Sequence, residues 1–315
     1  MAEIHVLTAP GLSPLYMKSL REHCVVHERL HETDPAAFAA AAPQIRAFAG
    51  GGESKIGAEL IAKLPALEVI AIMGVGYDGV DVAAAKARGI VVTHTPDVLN
   101  DDVADLAIAL MLCVARQLPA ADRFVRAGDW EKGAMPLQRK VSGARIGLIG
   151  IGRIGQTIAK RAAGFDMSIA YTARSRRDEL PYAYHPNAVE LAAHSDFLVV
   201  ITPGGAGTRK LVDRAVLQAL GPRGFLINVS RGSVVDEAAL IEALERGVIG
   251  GAALDVFENE PRVPQRLKDM PNVVLTPHVG SATGQTRQAM ADLALSNLLA
   301  HFKGERLPTP VPECR

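Results

Sequence analysis

A glycine-rich turn between an apolar run and a helical segment constrains this chain more than any other feature. Residues 146–149 predict a buried parallel strand, and residues 156–163 have the composition of a helix. Between them stands Gly150-x-Gly152-x-x-Gly155. In that context the first glycine permits a tight turn, the second lets backbone amides approach a pyrophosphate, and the third lets the helix pack on the strand. The pattern predicts a dinucleotide site; a structural turn is the alternative.

The segment after the second predicted strand, residues 167–172, favours NADP(H) over NAD(H). An NAD site carries an acidic residue near the end of that strand, about 20 residues after the glycines. The sequence instead has Arg174-Ser175-Arg176-Arg177. Guanidinium groups can hold a 2′-phosphate through paired, charge-assisted hydrogen bonds. A solvated run of surface charge is the alternative interpretation.

Length, charge and cysteine usage limit the class of protein. A chain of 315 residues predicts two domains. With 34 basic and 34 acidic residues the net charge is zero, which argues against nucleic acid or a membrane surface as a partner. The sequence shows no signal peptide and no apolar run of membrane-spanning length, so we expect a cytoplasmic protein. Cys24, Cys113 and Cys314 are far apart, which fits reduced thiols and predicts no cysteine-based metal site.

Short strands and helices alternate through the first 98 residues. Strands are predicted at 4–7, 45–48, 69–73 and 90–93, helices at 13–22 and 60–64, and helix or loop at 36–42. Two strands end in glycine-rich segments, Gly50-Gly51-Gly52-Glu53-Ser54 and Gly74-Val75-Gly76-Tyr77-Asp78. Exposed amides there suit a substrate carboxylate, and an ordinary turn is an equal alternative for each.

The βα alternation continues beyond the arginine run. Strands are predicted at 197–201, 226–229, 252–256 and 273–275. Because the ends of parallel strands line one edge of the sheet, the residues that follow them, Arg231, Glu260 and His278, are expected to meet there. An Arg can bind a carboxylate, a His can donate a proton near neutral pH, and a carboxylate beside an imidazole raises its pKa. These three groups are what hydride transfer to a 2-keto acid requires.

Two helices complete the predicted organisation. Residues 102–116, capped by Asn100 or Asp101, are apolar nearly all round and must be buried on two sides, within the monomer or at a dimer contact. A final helix at 285–302 would return to the first domain. The expected fold is α/β, with two Rossmann-like doubly wound domains: a discontinuous substrate domain, 1–98 plus 285–315, and a larger dinucleotide domain, 99–284.

Five segments together resemble the D-isomer-specific 2-hydroxyacid dehydrogenase family. They are Gly74-Val75-Gly76-Tyr77-Asp78, the glycine fingerprint, Asn228-Val229-Ser230-Arg231-Gly232, the run from Ala253 to Pro261, and Pro277-His278-Val279-Gly280-Ser281. The chain is particularly similar to the NADP-preferring glyoxylate, hydroxypyruvate and hydroxyphenylpyruvate reductases, which share Thr-Pro-Asp-Val-Leu, Asp-Asp-Val-Ala-Asp-Leu-Ala and an Arg-Ser-basic-basic run.

The resemblance implies a role for each matching position. The catalytic residues would be Arg231, Glu260 and His278, and the substrate would contact Gly74, Val75, Gly76, Arg231 and His278. Asp255 would lie near the nicotinamide carboxamide. The cofactor positions are Gly150, Gly152, Arg153, Ile154, Arg174, Ser175, Arg176, Thr202, Pro203, Val229, Arg231, Asp255, His278 and Gly280. A homodimer built on the 102–116 helix and the connector after it is also implied.

The substrate expected from the sequence is a small 2-keto acid, glyoxylate or hydroxypyruvate. Gly51, Gly52, Glu53 and Met73, at the expected substrate mouth, offer no aromatic side chain for a bulky aryl group. A hydroxyphenylpyruvate or phenylpyruvate reductase is the first alternative. A non-catalytic nucleotide-sensing scaffold like the corepressors on this fold is the second, and the complete triad argues against it. An NAD-linked formate or phosphite dehydrogenase is a third, which the arginines disfavour.

Overall fold

The chain forms two compact units in a computed structural model, which describes residues 3–315. One unit is the described part of Met1–Leu99 together with Thr283–Arg315, and the other is Asn100–Ala282. The smaller unit is therefore discontinuous in sequence. The boundaries predicted after residues 98 and 284 differ from those observed by one and two residues.

The smaller unit is built on five parallel strands. Its strands are β1 (His5–Thr8), β2 (Val25–Glu28), β3 (Ile45–Gly51), β4 (Val69–Met73) and β5 (Val91–Thr93). Its helices are α1 (Pro14–His23), α2 (Leu30–Thr33), α3 (Pro35–Ala41), α4 (Ala58–Ala62), α5 (Val82–Ala87) and, from the end of the chain, α13 (Gly284–Lys303). The strand order β2-β1-β3-β4-β5 reverses direction between β1 and β3, which is where a ligand crevice is expected in such a sheet.

The larger unit contains a seven-stranded parallel sheet. Its strands are β6 (Arg145–Ile149), β7 (Ser168–Thr172), β8 (Ala183–Tyr184), β9 (Phe197–Val200), β10 (Phe225–Asn228), β11 (Gly251–Leu254) and β12 (Val273–Leu275). Its helices are α6 (Asn100–Arg116), α7 (Leu118–Arg126), α8 (Arg153–Ala163), α9 (Ala188–Ala193), α10 (Arg214–Leu220), α11 (Glu237–Glu245) and α12 (Gln265–Asp269). The order β12-β11-β10-β9-β6-β7-β8 is that of a dinucleotide-binding sheet, with its switch point between β6 and β9.

The core of the larger unit explains why its strands read as apolar runs. Both faces of a parallel sheet are covered, so residues such as Leu198, Val200 and Leu226 have no exposed surface. They pack with Leu217 and Leu240 from the helices α10 and α11. The strand ends are therefore fixed by a rigid core.

Helix α6 differs from the prediction at its start. Asn100 and Asp101 were expected to cap it, but both lie inside its first turn, since the helix begins at Asn100. Most of its circumference is buried, and Asp101, Asp105 and Ala109 form the exposed stripe. Arg161 of α8 pairs with both aspartates, at 2.9 Å and 2.5 Å, and so ties the two helices together.

Membrane-spanning potential is weak among residues 3–315. No single helix is long and apolar enough to cross a bilayer; α6 and α7, bent by 57° at their junction, meet the length and composition criteria only as a pair.

Candidate active site

The glycine turn lies at the switch point of the larger sheet. Gly150 has a φ of 106°, and a side chain there would come within 2.6 Å of the Ile201 carbonyl oxygen. A side chain at Gly155 would come within 2.5 Å of the Gly150 carbonyl oxygen. These two glycines therefore allow close backbone packing between β6, the loop after β9, and α8. Thr202 and Pro203, two of the predicted cofactor positions, directly follow Ile201 in the loop after β9.

The start of α8 fits an anion. Gly152 is its N-cap, provides no capping side chain, and faces open space, because a Cβ there would have no atom within 4 Å. Within residues 3–315 the N–H groups of Ile154 and Gly155 have no hydrogen-bond acceptor. Amides of this kind, at the positive end of a helix, suit a pyrophosphate. The helix begins at Arg153 rather than at the predicted residue 156.

The arginine run forms an exposed loop after β7. Arg174, Ser175, Arg176 and Arg177 are all exposed. Arg176 Nε lies 2.9 Å from Asp178 Oδ1, and both side chains are largely in solvent. No acidic residue occupies positions 173–177, where an NAD-selective site would carry one.

His278 and Glu260 are in contact at the carboxyl edge of the larger sheet, in the loops that follow β12 and β11. The Nδ1–H of His278 donates to Glu260 Oε2 at 2.7 Å, and Glu260 Oε1 accepts the Phe257 N–H at 2.9 Å. Burial raises the pKa of the Glu260 carboxyl, but the hydrogen bond and charge of His278, the Phe257 amide and the charge of Arg231 outweigh burial, so the pKa lies below its ordinary value. Glu260 is therefore ionised at neutral pH.

Asp255 holds the loop that carries His278. Its carboxylate is 1 % exposed and accepts three hydrogen bonds, from Thr276 Oγ1 (2.7 Å), the Val279 N–H (2.8 Å) and the Gly280 N–H (2.9 Å). Its carbonyl also accepts the His278 N–H at 2.9 Å. His278 has a φ of 53°, a strained conformation for a residue with a side chain, and these bonds hold it there.

Arg231 lies in a turn that packs against the loop bearing Glu260. A side chain at Gly232 would overlap the backbone of Phe257 and Glu258, so glycine is required for this approach. Asn228 Nδ2 donates to the Arg231 carbonyl at 3.0 Å, and Arg231 Nη1 donates to the Ser230 carbonyl at 2.8 Å. The predicted triad is thus brought to one edge, with His278 and Glu260 in contact and Arg231 near enough for its charge to act on Glu260.

The glycine-rich loops of the smaller unit are held separately. Thr95 N–H donates to the Gly74 carbonyl at 2.8 Å, and His94 Nδ1 donates to the Val75 carbonyl at 3.0 Å. The N–H groups of Val75 and Gly76 have no acceptor in the described residues. Met73, which was expected at the substrate mouth, is the last residue of β4 and pairs with Gly51. Its side chain is only 5 % exposed and packs in the sheet instead.

Comparison with known proteins identifies the family. A family model described as "D-isomer specific 2-hydroxyacid dehydrogenase, NAD binding domain" matches residues 108–280, more than half of the chain. The protein belongs to the D-isomer specific 2-hydroxyacid dehydrogenase family. It is therefore an oxidoreductase with a nicotinamide dinucleotide cofactor, and its glycine turn, open helix start and arginine loop fit such a cofactor.

The relatives place this dehydrogenase in the glyoxylate/hydroxypyruvate reductase branch. It is 52 % identical to glyoxylate/hydroxypyruvate reductase A of Arabidopsis thaliana, over 85 % of both chains. It is 50 % identical to hydroxyphenylpyruvate reductase of Plectranthus scutellarioides, over 86 % of both chains. Among solved structures, the NADPH-dependent glyoxylate/hydroxypyruvate reductase of Sinorhizobium meliloti, in complex with NADP and malonate, is 47 % identical with a TM-score of 0.94, and the match covers 99 % of this chain and 98 % of that one.

The dehydrogenase also contains supporting residues that its sequence did not single out. Tyr171 and His94 bind the backbone of functional loops, and a single sequence gives no signal for such contacts. Within the described chain, no group of three or more His, Cys, Asp and Glu side chains could hold a metal ion.

Proposed function

We propose that this dehydrogenase uses NADPH to reduce small 2-keto acids, glyoxylate and hydroxypyruvate, to D-2-hydroxy acids. The observation that carries the proposal is the 2.7 Å bond between His278 and an ionised Glu260, beside Arg231 at the carboxyl edge of a dinucleotide-binding sheet. When bound, NADPH supplies a hydride for the 2-carbonyl carbon. The protein must supply the proton, the orientation and the charge that this transfer requires.

His278 donates the proton in this proposal. Its Nδ1–H is directed to Glu260, so Nε2 is the ring nitrogen that gives a proton to the carbonyl oxygen as negative charge develops there. The carboxylate of Glu260 favours the protonated imidazole and fixes the orientation of the ring. After the reaction, His278 is neutral and regains its proton from solvent.

Arg231 binds and orients the keto acid. Its guanidinium can hold the substrate carboxylate through two hydrogen bonds and polarise the adjacent carbonyl. Val75 and Gly76 are the predicted amide donors for the same class of anion, which their unpartnered N–H groups in the described chain support.

The preference for NADPH rests on the loop after β7. Arg174 and Arg176 are exposed on a loop without an acidic residue at 173–177, so they are available to a 2′-phosphate and offer nothing specific to a neutral ribose hydroxyl. The solved Sinorhizobium meliloti reductase, described as NADPH-dependent and complexed with NADP, supports this assignment.

A homodimer is part of the proposal. Four of the seven large exposed hydrophobic residues in the described chain lie within one segment: Leu118, Val125, Trp130 and Leu137. Helix α7 in that segment has no buried residue. A second copy of the chain would cover this apolar surface. Val125→Glu should shift the protein toward monomer in sedimentation velocity, whereas Val189→Glu on α9 should not; a wild-type monomer would contradict the proposal.

A cofactor-by-substrate matrix tests the activity. Oxidation of NADPH and NADH is followed by absorbance with glyoxylate, hydroxypyruvate, hydroxyphenylpyruvate and phenylpyruvate. We expect the highest kcat/KM with NADPH and the two small acids. Turnover mainly with the aryl acids would move the function to the first alternative, which the Plectranthus relative represents. No turnover with any acid would favour the non-catalytic scaffold.

A further inference from the structure

A buried tyrosine closes the arginine loop. Tyr171, in strand β7, has no exposed surface. Its hydroxyl oxygen accepts the Arg177 N–H at 2.7 Å, and its O–H donates to the Arg177 carbonyl at 3.2 Å. Both backbone groups of one residue are thus held by one hydroxyl. This contact closes a loop between Tyr171 and Arg177, and the loop contains Arg174, Ser175 and Arg176.

Besides Tyr171, one backbone bond and a few exposed contacts fix the loop: the Leu180 N–H donates to the Arg177 carbonyl at 3.2 Å. The ion pairs Arg176–Asp178 and Arg177–Glu179 are exposed, and pairs of this kind contribute little because solvent screens them. The Tyr184 hydroxyl reaches the Ala173 carbonyl at 3.5 Å, the long limit of a hydrogen bond. The Tyr171 hydroxyl makes the short bond and lies at the buried end of the loop, so it carries most of the constraint on the backbone.

We propose that Tyr171 is a positioning residue that sets the preference of this enzyme for a 2′-phosphorylated cofactor. Its side chain has no exposed surface, so it acts through the backbone that presents Arg174 and Arg176. Two guanidinium groups grip one phosphate well only when their separation is fixed beforehand; otherwise ordering the loop consumes part of the binding free energy. The inference rests on the proposed NADPH preference, and its test separates the two.

The decisive variant is Tyr171→Phe, which removes the hydroxyl and keeps the ring. Calorimetry on the cofactor-free protein compares 2′,5′-ADP with 5′-AMP, two fragments that differ only in the 2′-phosphate. Loss of a hydrogen bond that also leaves the Arg177 amide without its acceptor should weaken 2′,5′-ADP about tenfold. Binding of 5′-AMP should not change. The ratio of kcat/KM for NADPH to that for NADH should fall by the same factor, with kcat unchanged.

Tyr16→Phe is the matched control. Tyr16 is equally buried, and its hydroxyl has no hydrogen-bond partner among residues 3–315. The same chemical change there should leave the ratio of the two fragments unchanged. If Tyr171→Phe does not fold, Arg177→Pro compared with Arg177→Ala serves instead. Both lose the same charge, and only proline loses the N–H that Tyr171 accepts.

A double-mutant cycle shows whether Tyr171 acts through the arginines. In a background of Arg174→Ala and Arg176→Ala, Tyr171→Phe should have no further effect on 2′,5′-ADP. An undiminished effect in that background, or equal weakening of both fragments, would overturn the positioning role. A wild-type protein that binds the two fragments alike would overturn the NADPH preference and the inference with it. A discriminating wild type beside an equally discriminating Tyr171→Phe would overturn the inference alone.

Discussion

The loops that follow β12 and β7 are held in opposite ways. The loop after β12 carries His278 and is fixed by a buried carboxylate, Asp255, which accepts three hydrogen bonds from it. The loop after β7 carries Arg174 and Arg176, is exposed at residues 174–179, and is closed mainly by the Tyr171 hydroxyl. The difference indicates that the position of the proton donor is strongly specified, whereas the position of the cofactor-selecting charges depends on few bonds.

Removing the proton donor should have the largest effect. His278→Ala leaves the developing alkoxide without an acid, so kcat for glyoxylate should fall by about 10² to 10⁴. Stopped-flow absorbance of NADPH measures this directly. His194→Ala, an exposed histidine at the end of α9, is the control and should keep wild-type turnover. An unchanged kcat in His278→Ala would remove His278 from the mechanism.

Removing the selecting charges should come next. Arg174→Ala with Arg176→Ala loses the charge-assisted bonds to the 2′-phosphate, so KM for NADPH should rise by about 10- to 100-fold. The KM for NADH and kcat with either cofactor should stay near wild type, because the reaction loop after β12 is held independently. The control variant is Arg177→Ala, which measures how much KM for NADPH changes when one nearby positive charge is lost. An equal rise for NADH would mean that the arginines do not read the 2′-phosphate.

Glu260→Gln should sharpen the account of the reaction loop. The lowered pKa of Glu260 means that it is a carboxylate at neutral pH, and that the stability it contributes is lost only as the pH falls through that lowered pKa. Replacing it removes a negative charge from beside His278, which lowers the pKa of the imidazole. Reduction needs protonated His278, so the alkaline limb of kcat should move to lower pH, and turnover at neutral pH should fall. A pH profile of kcat is the measurement; an unmoved limb would contradict the pairing.

The strands predicted from apolar runs bounded by glycine or proline are the part of the fold that the sequence defines best. The predicted bounds of Val69–Met73 and Val273–Leu275 match those observed. The sequence did not predict the strands Val25–Glu28 and Ala183–Tyr184. Both are short, lie at sheet edges and are only partly buried, so no apolar run marks them. The order of the strands brought Glu260 and His278 into contact as expected.

The contacts that support the site could not be predicted in the same way. Asp255 binds residues 276–280 and Tyr171 binds Arg177 only once β11, β12 and β7 are folded side by side. The composition of β7 does not distinguish Tyr171 from an ordinary core residue, and the family resemblance pointed to Asp255 without indicating its three hydrogen bonds to the loop after β12. The homodimer and the cytoplasmic location stay predictions.

The smallest expected effect has the opposite sign and tests the exposed loop most finely. Asp178 pairs with Arg176 at 2.9 Å, and because the side chains are 85 % and 69 % exposed respectively, the pair contributes little to folding. The carboxylate nevertheless competes with a 2′-phosphate for the same guanidinium. Asp178→Asn should therefore lower KM for NADPH by about two- to fivefold, the range of an exposed ion pair, without changing KM for NADH or the melting temperature. Glu179→Gln, one residue further and paired with Arg177 instead, should do less. Since the interaction is electrostatic and exposed, the gain should shrink as salt rises; a gain independent of salt, or shared by NADH, would show that Asp178 acts on the shape of the loop rather than on the charge of Arg176.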